Sequence, residues 1–227
     1  MTPREALAGV PGLPETLLPV DVLDRLPAGT PPPPWSFTVR AIVWCQRAAV
    51  PSPVPSAYRR RILPVAVGAV VEYLDSPVGP YREIFVGMPL RRLGRPAVHV
   101  PFIAVDSLPS LQAGRAYWSL PKTLASFSGT GDRTAVTGPS WAVDVAVRTL
   151  APPLPLAAPV LTAQDGRSAR ATVRGSVRPA VVRVSAGGTT LTGWLGEGTH
   201  AGFLARGRIV LGPAAADTDG MKQRRIR

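Results

Sequence analysis

Apolar and polar residues alternate along much of this chain with a period of two. The clearest case is Trp141, Val143, Val145 and Val147, which interleave with Ala142, Asp144, Ala146 and Arg148, the pattern of a strand with one buried face. The same reading predicts strands over Ser36–Cys45, Ile62–Tyr73, Arg82–Met88, Pro96–Val105 (bent at Pro101), Ala169–Val177, Ala180–Ser185, Thr189–Leu195 and Arg208–Leu211. Asp165-Gly166 and Gly187-Gly188 supply turns. Helical signals are short. Thr2-Pro3-Arg4-Glu5 forms a capping box for a helix to about Ala8, Val20–Leu26 has helical spacing, and Asp106-Ser107 caps a turn leading to Gly114. Ser119-Leu120-Pro121 reads as the start of a short helix Pro121–Phe127. Pro31–Pro34, Pro51–Pro55 and Pro152–Pro159 read as loops or stiff connectors. With so few helices for crossovers, the fold class is mainly β: an antiparallel sheet closed as a barrel or cone. The division is an N-terminal helical, proline-rich extension (1–34), a β domain (35–213) and a basic tail (214–227).

Composition narrows the function classes. Cys45 is the only cysteine, so no intramolecular disulfide forms, and in a predicted strand it reads as a small core residue. The longest apolar run, Ile62–Val71, is too short for a membrane span of about 20 residues, and no signal-peptide core follows Met1, so the expected location is the cytoplasm. The net charge of +12 is spread out, with clusters only at Arg59–Arg61 and in the tail, and aromatic residues are too few near them to serve as base-stacking platforms. No nucleic-acid or membrane partner is expected. His99, His200 and Cys45 lack metal-ligand spacing, so neither a metal nor a cofactor is expected.

The choice of cation changes the picture. Of 26 basic residues, all but Lys122 and Lys222 are arginine. A lysine kept where arginine is otherwise used points to a need for an amine nucleophile, against the alternative of a surface lysine left by chance. Trp118, Leu120, Leu124 and Phe127 surround Lys122 with apolar bulk, and burial together with the first turn of the predicted helix would favour its neutral form. Glu72 and Glu83 lie among apolar residues: either they face one cavity and divide acid and base roles, or each pairs with an arginine such as Arg82 or Arg115. Arg115 either holds a substrate carboxylate or braces a loop through Asp106.

The stretch G-R-A-Y-W-S-L-P-K-T-L-A-S-F, with V-E-Y-L-D-S-P-V-G-P-Y-R-E-I-F-V-G upstream, resembles the acetoacetate decarboxylase-like family, best over residues 65–127. The resemblance implies a Schiff-base lysine at Lys122 and active-site glutamates at Glu72 and Glu83. Arg115, Thr123, Trp118 and Tyr81 become substrate-binding residues, and Arg40 matches the family's N-terminal arginine only by rough position. Thr123 stands where the family has a second lysine. The expected function is a lyase in which Lys122 forms an iminium with a short keto acid that then loses carbon dioxide. Aldolase or dehydratase chemistry on a 2-keto acid, and a non-catalytic binding protein on the same scaffold, are the alternatives. The family also implies a homo-oligomer, and Trp35, Leu154 and Leu156 beside the proline-rich connectors read as residues that pack on a neighbouring subunit.

Overall fold

A computed structural model of the chain describes residues 3–48, 58, 61–91, 96–188 and 190–217. The Pro51–Pro55 loop, Arg59, Arg60, the Thr2 cap and the tail basic residues lie outside them.

The short helices α1 (Pro3–Ala8) and α2 (Val20–Asp24) precede four strands, β1 (Trp35–Arg47), β2 (Val65–Asp75), β3 (Tyr81–Leu90) and β4 (Ala97–Val105). Helix α3 (Leu108–Trp118) follows, then β5 (Lys122–Leu124), β6 (Ser126–Thr130), β7 (Arg133–Thr137) and β8 (Trp141–Thr149). The long strands β9 (Leu154–Gln164), β10 (Arg167–Gly188) and β11 (Gly198–Ala216) complete the chain. The expected β-rich architecture is present as a closed ring in the order β11-β1-β2-β3-β4-β9-β10, with β10 pairing back to β11. Its pairings are antiparallel except for the short parallel contact of β4 with β9.

Strand β10 serves two layers. Its first half pairs with β9 inside the ring, and from Ala180 onward it pairs with β8, which carries β7 and β6. Where two separate strands were expected, one runs through, because Pro179 falls at the change of partner, where a missing N–H interrupts no ladder of either neighbour. Its carbonyl accepts from the Leu150 N–H at 2.8 Å.

Alternation gives each ring strand an inner and an outer face. The outer faces of β1–β4 pack against β7, β8 and the second half of β10 in a filled core that includes Trp44, Ile84, Met88, Phe102, Trp141 and Val182. The inner faces meet around Phe37, Val71, Val100 and Ile103.

Five sequence expectations change here. Pro152–Pro159 is mostly strand β9, whose prolines are tolerated because β9 pairs with β4 only at Leu161 and Thr162, leaving the preceding edge without a strand partner on that side among the described residues. Of the expected strand Thr189–Leu195, Thr189 lies outside the described residues and Leu191–Gly193 form a 3-10 turn: Leu191, Trp194 and Leu195 have i, i+3, i+4 spacing and are all buried. Cys45 is exposed rather than a core residue. Strand β11 also runs to Ala216, past the expected start of the tail. Trp35 packs edge-on against Trp118 within its own chain, 5.1 Å between centroids and only 1% exposed, so it is not left for a neighbouring subunit. The N-terminal segment is tied to β4 by the Leu13 N–H on the Pro101 carbonyl at 2.9 Å.

Candidate active site

The expected helix over Pro121–Phe127 is absent, because the helix lies upstream. Ser107 caps α3 by accepting from the Ser110 N–H at 3.3 Å, and α3 ends at Ser119, which adopts the left-handed conformation (φ 53°). The chain then doubles back with the Leu120 N–H on the Gly114 carbonyl at 3.0 Å, and β5 adds in parallel to β4, Lys122 beside Ile103. Ser119 is therefore a helix end rather than a cap for Lys122.

Doubling back lays the Lys122 side chain across α3. A Cβ at Gly114 would stand 2.5 Å from Lys122 Cδ and 2.7 Å from Cε, so only glycine leaves room for the stem. The amine reaches Ser110, in the first turn of α3, at 2.9 Å from Oγ, and donates to Glu83 Oε2 at 2.8 Å. Glu83 Oε1 accepts from the Tyr73 hydroxyl at 2.9 Å. The Lys122 and Glu83 side chains are only 6% and 5% exposed. Tyr73 stacks on Tyr81 with ring centres 4.2 Å apart, and Lys122 Nζ lies 5.3 Å from the Tyr81 ring centre. Burial, reinforced by the charge of Glu83, holds both phenols well above their ordinary pKa. At neutral pH they are uncharged hydrogen-bonding groups.

These groups face the hollow of the ring, a cavity of about 270 Å³ to which all seven ring strands contribute. Trp118, Tyr81, Glu83 and Lys122, expected at the site, all line it. The other expected residues do not. Glu72 faces a separate small pocket with Arg40 and Arg82. The β2–β3 register explains why: Tyr73 pairs with Tyr81, Glu72 with Arg82 and Val71 with Glu83. Paired numbers sum to 154, so odd residues of both strands share one face and even residues the other, which puts Glu72 and Glu83 on opposite sides. Arg40, opposite Glu72 in β1, bonds Asp132 at 2.9 Å.

Thr123 is buried but does not line the cavity, since on β5 it faces away from its neighbour Lys122. Arg115 does not line it either. Its guanidinium donates to the carbonyls of Lys122 (2.6 Å), Leu7 (2.7 Å) and Thr16, bracing the doubled-back loop against the N-terminal segment. Burial pushes its pKa down to about 10, which leaves it charged at neutral pH. Asp106, considered as its partner, instead binds Arg82 through the backbone N–H at 2.7 Å and Nε at 3.0 Å.

Sequence reasoning missed Tyr73 and Ser110. Tyr73 was legible only with the register in hand. Ser110 is one polar position in a helix whose other buried residues are mostly apolar. Among the described residues no cluster of three or more His, Cys, Asp or Glu could hold a metal ion, and no helix is long and apolar enough to cross a membrane.

The sequence profile of acetoacetate decarboxylase matches residues 26–151, more than half of the chain. The chain belongs to the acetoacetate decarboxylase family. No curated protein sequence matches it at significance, but solved structures of acetoacetate decarboxylase-like proteins share its fold. The acetoacetate decarboxylase of Legionella pneumophila superposes with a TM-score of 0.59 at 13% identity, over 85% of this chain and 90% of that one. An acetoacetate decarboxylase-like enzyme of Sphingomonas wittichii gives 0.55 at 13% identity, over 80% and 92%. The enduracididine biosynthesis enzyme MppR, in its complex with pyruvate, gives 0.50 at 16% identity, over 82% and 91%. At such identities the likeness is one of fold. In this acetoacetate decarboxylase family member, the segment quoted above for its resemblance spans the end of α3, the doubled-back loop and β5.

Proposed function

We propose that this protein is a Schiff-base lyase that decarboxylates a keto acid through Lys122. The observation that carries the reading is the buried Lys122–Glu83 pair facing the hollow of the ring. Glu83 accepts the ammonium proton across the 2.8 Å hydrogen bond, leaving a neutral amine beside a carboxylic acid. The amine nitrogen bonds to the keto carbon as the carbonyl pair moves onto oxygen, one amine proton passes to that oxygen, and with the proton held by Glu83 it leaves as water, giving an iminium. In a 3-oxo acid the bond to the carboxylate then breaks. Carbon dioxide departs, and its electron pair moves through the new enamine double bond to neutralise the iminium nitrogen. A proton taken from water adds to the enamine carbon, and hydrolysis of the resulting iminium by water releases a ketone and restores the amine beside Glu83. Tyr73 holds the second oxygen of Glu83, and Ser110 aims the lysine.

An aldolase or dehydratase reading rested on a hydroxyl at Thr123 beside the substrate, and Thr123 lies off the cavity. Borohydride reduction in the presence of 3-oxo acids tests the proposal. The expected result is a mass increase on the peptide containing Lys122 and release of carbon dioxide, both abolished in Lys122→Arg. Undiminished turnover in that variant would refute it.

A further inference from the structure

The expected substrate is a short keto acid, yet the cavity is large and its walls are unequal. Its polar lining groups gather on one side, where β5 and the β2–β3 hairpin bring Lys122, Glu83, Tyr73 and Tyr81 together, and these already bond one another or Ser110. The opposite wall, from β9, β10 and β11, presents Val160, Ala171, Val173, Ile209 and Leu211. Thr162 is the exception there, and its hydroxyl lies 3.5 Å from the Ala169 carbonyl. Among the described residues no arginine or histidine lines the cavity. Along β4 the lining runs from Ile103, beside Lys122, to Val98, a distance of about 16 Å at ~3.3 Å per residue.

From this we infer that the substrate is a 3-oxo acid with an uncharged hydrocarbon tail, an inference that rests on the Schiff-base reading above for its reactive end. A dry cavity of ~150 Å³ accepts benzene, with six carbons. By that scale the 270 Å³ here holds about ten carbons. Acetoacetate would leave most of this apolar space unfilled, and a second carboxylate at the far end of the tail would be buried without a cation. The tail lies along the β9–β11 wall, and the keto carbon meets Lys122 opposite it.

The test is a chain-length series from acetoacetate through 3-oxohexanoate and 3-oxooctanoate to 3-oxodecanoate, with 3-oxodecanedioate as the charged-tail control. Borohydride trapping at Lys122 and carbon dioxide release are measured on the full-length protein. Both should rise about fourfold per added methylene, and the dioate should fall about a hundredfold below 3-oxodecanoate. In parallel, calorimetry measures binding of 2-nonanone, the ketone product of 3-oxodecanoate, against 2-pentanone, with 2-nonanone, four methylenes longer, expected to bind about two hundredfold tighter. Ala171→Phe, which fills the apolar wall, should move the preferred chain length downward. Trapping that is flat with length or best with acetoacetate overturns the hydrocarbon-tail inference and leaves the Schiff base intact. If no acid is trapped but 2-nonanone still outbinds 2-pentanone, the Schiff base fails and the apolar ligand class stands. Equal binding of the two ketones without trapping overturns both. An unchanged length profile in folded Ala171→Phe overturns the placement of the tail along this wall.

Discussion

The two sides of the β1–β4 wall are built from the same alternating strands, yet one is filled and the other hollow. On the outer side Trp44, Met88 and Phe102 are fully buried, and Phe102 meets Trp141 edge-on at 5.2 Å. That side packs against a second layer of strands, whose buried side chains form one cluster with it. The inner side faces other strands of its own ring, and ring closure sets the distance across it. Where Gly and Ala would close a narrow ring and large residues would fill a wide one, this ring carries mostly medium-sized Val, Ile and Leu beside a few aromatics, and about 270 Å³ is left. The contrast teaches that the hollow comes from ring closure and side-chain size, not from any lack of apolar residues.

Truncation should separate the two sides most strongly. Phe102→Ala opens a new cavity in the filled core and should cost about 3–5 kcal/mol. Phe85→Ala enlarges a space that already exists, so about 1–2 kcal/mol of lost burial is expected. Denaturant unfolding of both variants measures the difference, and equal costs would mean that the hollow is closed in solution. The ion pair sharpens the comparison next. Lys122→Met leaves Glu83 buried without a cation and should cost about 3–5 kcal/mol, most of it recovered in the double variant with Glu83→Gln. A double variant as unstable as the single one would contradict that account.

A smaller effect on the fold but a clear one on chemistry is expected of Gly114→Ala. The new methyl displaces the lysine stem and loosens the buried pair without removing the cation, so stability should fall by about 1–3 kcal/mol, less than in Lys122→Met. Borohydride trapping should meanwhile fall about tenfold as the amine is displaced.

Titration gives the mildest contrast, an acid limb from the filled core and an alkaline limb from the hollow. His99, buried on the outer side and bonded to the Ala163 carbonyl at 3.1 Å, has its pKa lowered from 6.5 by desolvation. The unfolded chain therefore takes up this proton first, and stability present above about pH 6.5 is lost as pH falls toward the folded pKa. Tyr73 and Tyr81 have raised pKa values. Their contribution is full below the unfolded value of 10.0 and is lost as pH rises beyond it. Melting temperatures across pH should show both limbs, the acid one reduced in His99→Gln and the alkaline one in Tyr73→Phe.

The chain's alternation determined a great deal by itself: the β-rich class, most of the strands β1–β4 and β8, the helix start at Ser107, and Lys122 as the residue whose kind differs from its surroundings. These rest on local periodicity and on residue type, which need no knowledge of partners. Alternation says that a strand has two faces but not which face meets which neighbour. Only register decides that, and it moved Glu72 to the outer side and brought Tyr73 to Glu83. Arg115 and Thr123 followed the same logic, since a motif's spacing places residues near a site in sequence, while the turn at Ser119 and the parity of β5 decide which of them face it. The size and lining of the hollow were not legible in the sequence. Its existence depends on the closure of seven strands far apart in the chain, and the space left between their side chains is a property of that closure rather than of any one segment.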